Sequence, residues 1–123
     1  MKKILVVDDE QEIVNILKEF LSKNGYSVIT ASGGAEAIEI IESDQELELV
    51  LLDMKMPKIK GIDLLKKMKE LKIVTPFIVL SGSIEMQHHL DALGEMGYNN
   101  PDILNKPVDF SRLLILIEEK LSK

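Results

Sequence analysis

The chain has 123 residues, 46% of them apolar, with 15 basic and 21 acidic side chains, a formal net charge of −6 and no cysteine. That length fits one domain with one real core, and the missing cysteine excludes a disulfide framework, a thiolate zinc site and a cysteine nucleophile. The acidic balance, with no basic stripe carrying interleaved aromatics, argues against direct nucleic-acid binding. Its apolar runs are far shorter than the ~20 residues that span a bilayer. Met1-Lys2-Lys3 leads into one short run that ends at Asp8-Asp9, so the apolar stretch of a signal peptide is missing as well. The expectation is a soluble, cytoplasmic protein with no membrane partner.

In chain order, Ile4-Leu5-Val6-Val7 is apolar at every position, which suits a strand buried on both faces. Ile13, Ile16, Leu17, Phe20 and Leu21 follow at helical spacing, and Asn24-Gly25 ends that helix. Val28-Ile29 reads as a short, more polar edge strand. Gly33-Gly34 fits neither the dinucleotide-binding nor the P-loop glycine pattern and reads as a turn into a second helix with Ala35, Ile38 and Ile41. Leu49 to Leu52 gives the third strand, and Ile62, Leu64, Leu65 and Met68 the third helix. Phe77 to Leu80 gives the fourth strand. Ile84 to Met96 is the fourth helix, with loose apolar spacing and an end weakened by Gly94 and Gly97. Ile103-Leu104 is the last strand. Phe110, Leu113, Leu114, Ile117 and Leu121 make the last helix, capped by Asp109 or Ser111. Ile115 and Leu116 widen its apolar face, which makes either an exposed dimer or partner patch or a deeper core contact. Strict strand–helix alternation predicts a single doubly wound α/β domain over residues 1–123 with a five-stranded parallel sheet.

In an open parallel sheet, ligands bind outside the carboxyl ends of the strands. After the first strand comes Asp8-Asp9, after the third Asp53, after the fourth Ser81, and after the fifth Lys106-Pro107. Three carboxylates, one hydroxyl and one ammonium thus converge on one edge. Carboxylates packed together repel, and a divalent cation removes the conflict. Mg²⁺ takes carboxylate and carbonyl oxygens and keeps several waters. Three carboxylates, Mg²⁺ and Lys106 sum to zero charge, so the edge can accept a phosphoryl group. One Asp would be the nucleophile, forming an acyl phosphate, with the metal, Lys106 and the Ser81 hydroxyl each on one phosphoryl oxygen. Pro107 biases Lys106 toward extended backbone. His88-His89 lie about 100° apart on a helix and read as a plain surface pair; the six Met residues read as core filling.

Val7-Asp8-Asp9-Glu10, Leu51 to Pro57 with Gly61 after it, Leu80-Ser81-Gly82 and Asn105-Lys106-Pro107 together resemble the four signature segments of bacterial two-component response regulator receiver domains, along the whole chain and in order. The resemblance implies a stand-alone, flavodoxin-like (CheY-like) (βα)5 fold with strand order 2-1-3-4-5. It implies that Asp53 takes a phosphoryl group from a histidine kinase or phosphotransfer protein. It also implies that Asp8, Asp9, Asp53 and the main-chain carbonyl of Lys55 bind Mg²⁺, that Ser81 is the switch hydroxyl, and that Lys106 is the family's lysine. Signalling would run through the surface of the fourth helix, fifth strand and fifth helix, to an unknown downstream protein or as a weak dimer, without turnover of an external substrate.

Three features depart from the family pattern. Ile103 stands where receivers that switch by the best-known route carry Tyr or Phe, so no aromatic ring at that position reports phosphorylation. The segment Gly97 to Asp102 is about two residues longer than in the family, and Ser81 is followed by Gly82 where Ala is more usual. Two alternatives compete: a receiver-like interaction module that is not phosphorylated, and a Mg²⁺-dependent phosphohydrolase with an Asp nucleophile. Such hydrolases typically carry a second acid two residues on, where this chain has Lys55. With no output domain after Lys123, the output is protein binding, a phosphate relay, or the work of a longer polypeptide of which this is a fragment.

Overall fold

The computed structural model describes residues 2–44, 46–53, 61–81, 91, 93–97, 102–105 and 107–122; the side chains of 61, 62, 81, 102 and 105 are outside that description. The elements are β1 (Lys3–Val7), α1 (Gln11–Lys23), β2 (Ser27–Ala31), α2 (Gly34–Ser43), β3 (Leu47–Asp53), α3 (Gly61–Glu70), β4 (Phe77–Ser81), β5 (Asp102–Asn105) and a last helix, Phe110–Leu121. The strands form one parallel sheet in the order β2-β1-β3-β4-β5. Most of the fourth helix expected from Ile84 to Met96 lies outside the described residues, with 91 and 93–95 helical.

Because side chains alternate along a strand, an all-apolar run feeds two cores at once. Leu5 and Val7 of β1, Val50 and Leu52 of β3 and Val79 of β4 face one core with Ala37 and Ile41 of α2 and Leu64, Leu65 and Met68 of α3. Ile4 and Val6, Leu49 and Leu51, and Ile78 and Leu80 face the other, with Leu17 and Leu21 of α1 and Leu113, Ile117 and Leu121 of the last helix. A register shift between Lys3 and Ile4, which pair with Leu47 and Leu49, aligns the two strands for the rest of their length. β2 lies at one edge of the sheet, as its polar composition requires. It runs longer than Val28-Ile29 because Ser27 to Ala31 all pair with β1.

The helix faces need one correction. Val14, Leu17 and Leu21 form the buried stripe of α1, while Ile16, expected on that face, is 54% exposed. In the last helix Ile115 is 56% exposed, which favours the surface-patch alternative over a core contact for that residue. Asp109, not Ser111, is the cap: its carboxylate accepts from the backbone N–H groups of Ser111 and Arg112.

Two helix ends share one hydrogen-bond pattern. In α1, Gly25 N–H donates to Ser22 and Tyr26 N–H to Leu21; in α3, Lys72 N–H donates to Lys69 and Ile73 N–H to Met68. This paired return needs a left-handed residue. Gly25 supplies it at φ 89°, but Lys72 holds φ 59° with a full side chain. The left-handed cost of about 1–2 kcal/mol exceeds the extra unfolded-state entropy of glycine. Lys72→Gly is therefore expected to raise Tm by about 2–4 °C in thermal unfolding.

At the opposite end of the sheet from the strands' carboxyl ends, Lys3 Nζ donates to Asp44 Oδ2 at 2.9 Å. That ammonium, and then the Glu46 backbone N–H on Asp44 Oδ1, hold the Asp44 carboxyl below the usual carboxylate range. A depressed carboxyl contributes stability above its unfolded pKa and loses it as pH falls through the folded value. Asp44→Asn is expected to lower Tm at pH 7 and to lower it less as the medium is acidified toward pH ~3, measured by circular dichroism.

Candidate functional site

β1 and β3 pair Val6 with Leu51 and Val7 with Leu52. One further residue on each strand brings Asp8 level with Asp53, and alternation turns both to the face that carries Ile4, Val6, Leu49 and Leu51. Parallel neighbours lie about 4.8 Å apart, so the register alone sets these two carboxylates side by side. Both residues are buried, each 1% exposed. The Asp8 backbone is fixed by its N–H donating to the Ala31 carbonyl at 3.2 Å, and Asp8 Oδ1 accepts the Glu10 N–H at 3.0 Å. On the other side of β3, Asp53 pairs with Leu80, and Ser81 at the end of β4 pairs with Asn105 at the end of β5.

The described residues bring Asp8, Glu10 and Asp53 together, with one carboxylate oxygen from each within 4.8 Å of the others. Asp9 is exposed and stands outside that trio. Ser81 is placed by its backbone, while Lys55 and Lys106 lie outside the described residues. Glu10 was not singled out from the sequence, although it is the third acid of the run after β1. The signal available was its position, directly before the α1 pattern, where Glu is not a favoured cap; the structure shows that it makes none.

An all-oxygen, anionic donor set selects a hard divalent cation over a soft one. Oxygens in neighbouring positions around an octahedral Mg²⁺ are about 2.9 Å apart and opposite ones about 4.2 Å, so the trio, within 4.8 Å of one another, would have to draw together to share one ion. The residues present fit Mg²⁺. The N-terminus of α1, with its outward N–H groups, faces the same edge and favours negative charge there. Next to the edge, an apolar recess of about 280 Å³ lies between α1 and the last helix, lined by Ile13, Ile16, Leu17, Leu80, Val108 and Phe110 among others. No described helix is long and apolar enough to cross a membrane.

The family model for the response regulator receiver domain matches residues 4–118. The response regulator SaeR of Staphylococcus aureus is 34% identical over 123 residues, covering all of this chain and 52% of SaeR, so the chain spans about half the length of the curated relatives it matches. A receiver domain protein from Clostridium thermocellum superposes with a TM-score of 0.87 at 32% identity, over 99% of this chain and 95% of that one. The response regulator TrrA of Thermotoga maritima, solved in complex with Mg²⁺ and BeF, gives a TM-score of 0.82 at 32% identity, over 98% of this chain and 99% of that one. Strand order, the acidic edge and these matches agree, and the chain belongs to the response regulator receiver domain family.

Proposed function

We propose that this domain accepts a phosphoryl group on Asp53 from a histidine kinase or phosphotransfer protein, in a Mg²⁺-dependent reaction. The observation that carries the reading is the in-register placement of Asp53 beside Asp8 at the carboxyl edge of the sheet. Asp8, Asp9, Asp53 and the Lys55 carbonyl are the groups that would hold the cation, Asp9 reaching it from the solvent side. When bound, Mg²⁺ neutralises charge on the transferring phosphoryl oxygens.

The residues' own work is alignment. A carboxylate oxygen of Asp53 attacks phosphorus in line with the leaving group. With a phosphohistidine donor the P–N bond breaks and the imidazole nitrogen keeps its electron pair; with acetyl phosphate the acetate oxygen does. The product is an acyl phosphate on Asp53. Water later cleaves its P–O bond, returning the carboxylate and inorganic phosphate. The Ser81 hydroxyl donates to one phosphoryl oxygen and Lys106 offers its ammonium to another. The domain signals by changing the surface formed by its fourth helix, β5 and the last helix. It works in the cytoplasm and does not turn over an external substrate.

Incubation with Mg²⁺ and acetyl phosphate is expected to add one phosphoryl group by intact mass, and Asp53→Ala is expected to abolish the gain. A gain that survives Asp53→Ala, or multiple turnovers of a phosphate ester, contradicts the reading. Lys55 follows Asp53 by two residues and would crowd the path of attacking water. Lys55→Ala is accordingly expected to shorten the lifetime of the phosphorylated protein several-fold in a decay assay, and an unchanged lifetime would remove that role.

A further inference from the structure

Glu10 occupies the position before α1 where Ser, Thr, Asp or Asn usually caps a helix. It makes no such cap. Its backbone is committed on both sides: the N–H donates to Asp8 Oδ1 at 3.0 Å, and the carbonyl accepts from Val14 N–H at 3.1 Å. These two bonds fix the turn, and one oxygen of the Glu10 carboxylate lies within 4.8 Å of one oxygen each of Asp8 and Asp53. An exposed acid gains nothing from leaning on two buried ones unless positive charge joins them, since like charges at that spacing repel.

We infer that Glu10 is a further positioning residue for the divalent cation of the phosphoacceptor site. This rests on the reading of the site given above and adds a group to it. Glu10 is exposed while Asp8 and Asp53 are buried. It therefore approaches from the solvent side, where a carboxylate would accept hydrogen bonds from water on a bound Mg²⁺ or replace one such water. Glu12 carries the same charge in the first turn of α1 but lies outside the trio, so it separates a specific contact from a general field.

The test is a titration of the protein with MgCl₂ followed by amide NMR shifts, on the wild type, Glu10→Gln, Glu12→Gln and Asp53→Asn. Glu10→Gln is expected to raise the Kd for Mg²⁺ about tenfold, Glu12→Gln by no more than about twofold, and Asp53→Asn by more than either. In EDTA, Glu10→Gln should unfold at the wild-type temperature or above it, because a repulsive charge has been removed. Equal Kd changes in Glu10→Gln and Glu12→Gln overturn the inference and leave the site's own reading standing. A lower Tm in EDTA with an unchanged Kd overturns it in favour of a structural role. A wild type that shows no Mg²⁺-dependent shifts overturns both readings together.

Discussion

Asp8 and Asp53 sit side by side because β1 and β3 run parallel and in register to their last residues, and neither chain end can move without dismantling a core. Ile4, Val6, Leu49 and Leu51 beneath them are fully or almost fully buried, as are Leu5, Val7, Val50 and Leu52 on the opposite face. Shifting either strand by one residue would turn every one of these side chains to the wrong core. The shift would exchange one core's side chains for the other's, and the misfit, about 1–3 kcal/mol per badly packed large side chain, sums over a strand to more than the repulsion of one carboxylate pair. Hydrophobic packing therefore wins, and the acidic edge is held under electrostatic load.

That load links the fold to its chemistry. A site that already concentrates negative charge would attract a divalent cation, and a bound cation would make the edge hospitable to a phosphoryl group carrying more negative charge. The α1 N-terminus acts in the same direction. Asp53, the proposed nucleophile, ends the central strand of the sheet, flanked by β1 and β4, so its position is set by pairing on both sides. Ile103 lies on β5, half-buried against the core that contains α2 and α3. On the proposed reading, with no aromatic ring at that position the response would travel by another route.

Much of this was legible in the sequence for a simple reason. Short runs apolar at every position, alternating with helical spacing, suit strands covered on both faces, and an acid directly after such a run then stands at the sheet's edge. Asp8 and Asp53 follow from that logic without knowledge of the strand order, which came with the family resemblance. The logic stops where regular alternation stops. Past Asp8 the chain turns, and spacing no longer says which of Asp9 and Glu10 leans toward the edge; in the structure it is Glu10 whose carboxylate joins Asp8 and Asp53. Ile16 was misplaced for a related reason. Apolar residues at 13, 14, 16, 17, 20 and 21 cover more than one face of α1, and only packing against the sheet selects Val14, Leu17 and Leu21 as the buried stripe. Lys72 in a left-handed conformation could not be read at all, since the sequence there offers no glycine to mark the turn.

The central claim is that strand register forces like charges together at a site built to be neutralised from outside. Thermal unfolding of the wild type and of Asp53→Asn in EDTA tests it most directly. The near-isosteric change removes one charge and leaves the packing intact. The account predicts that Asp53→Asn unfolds several degrees above the wild type without metal. A wild type as stable as Asp53→Asn, or more stable, in EDTA would contradict it.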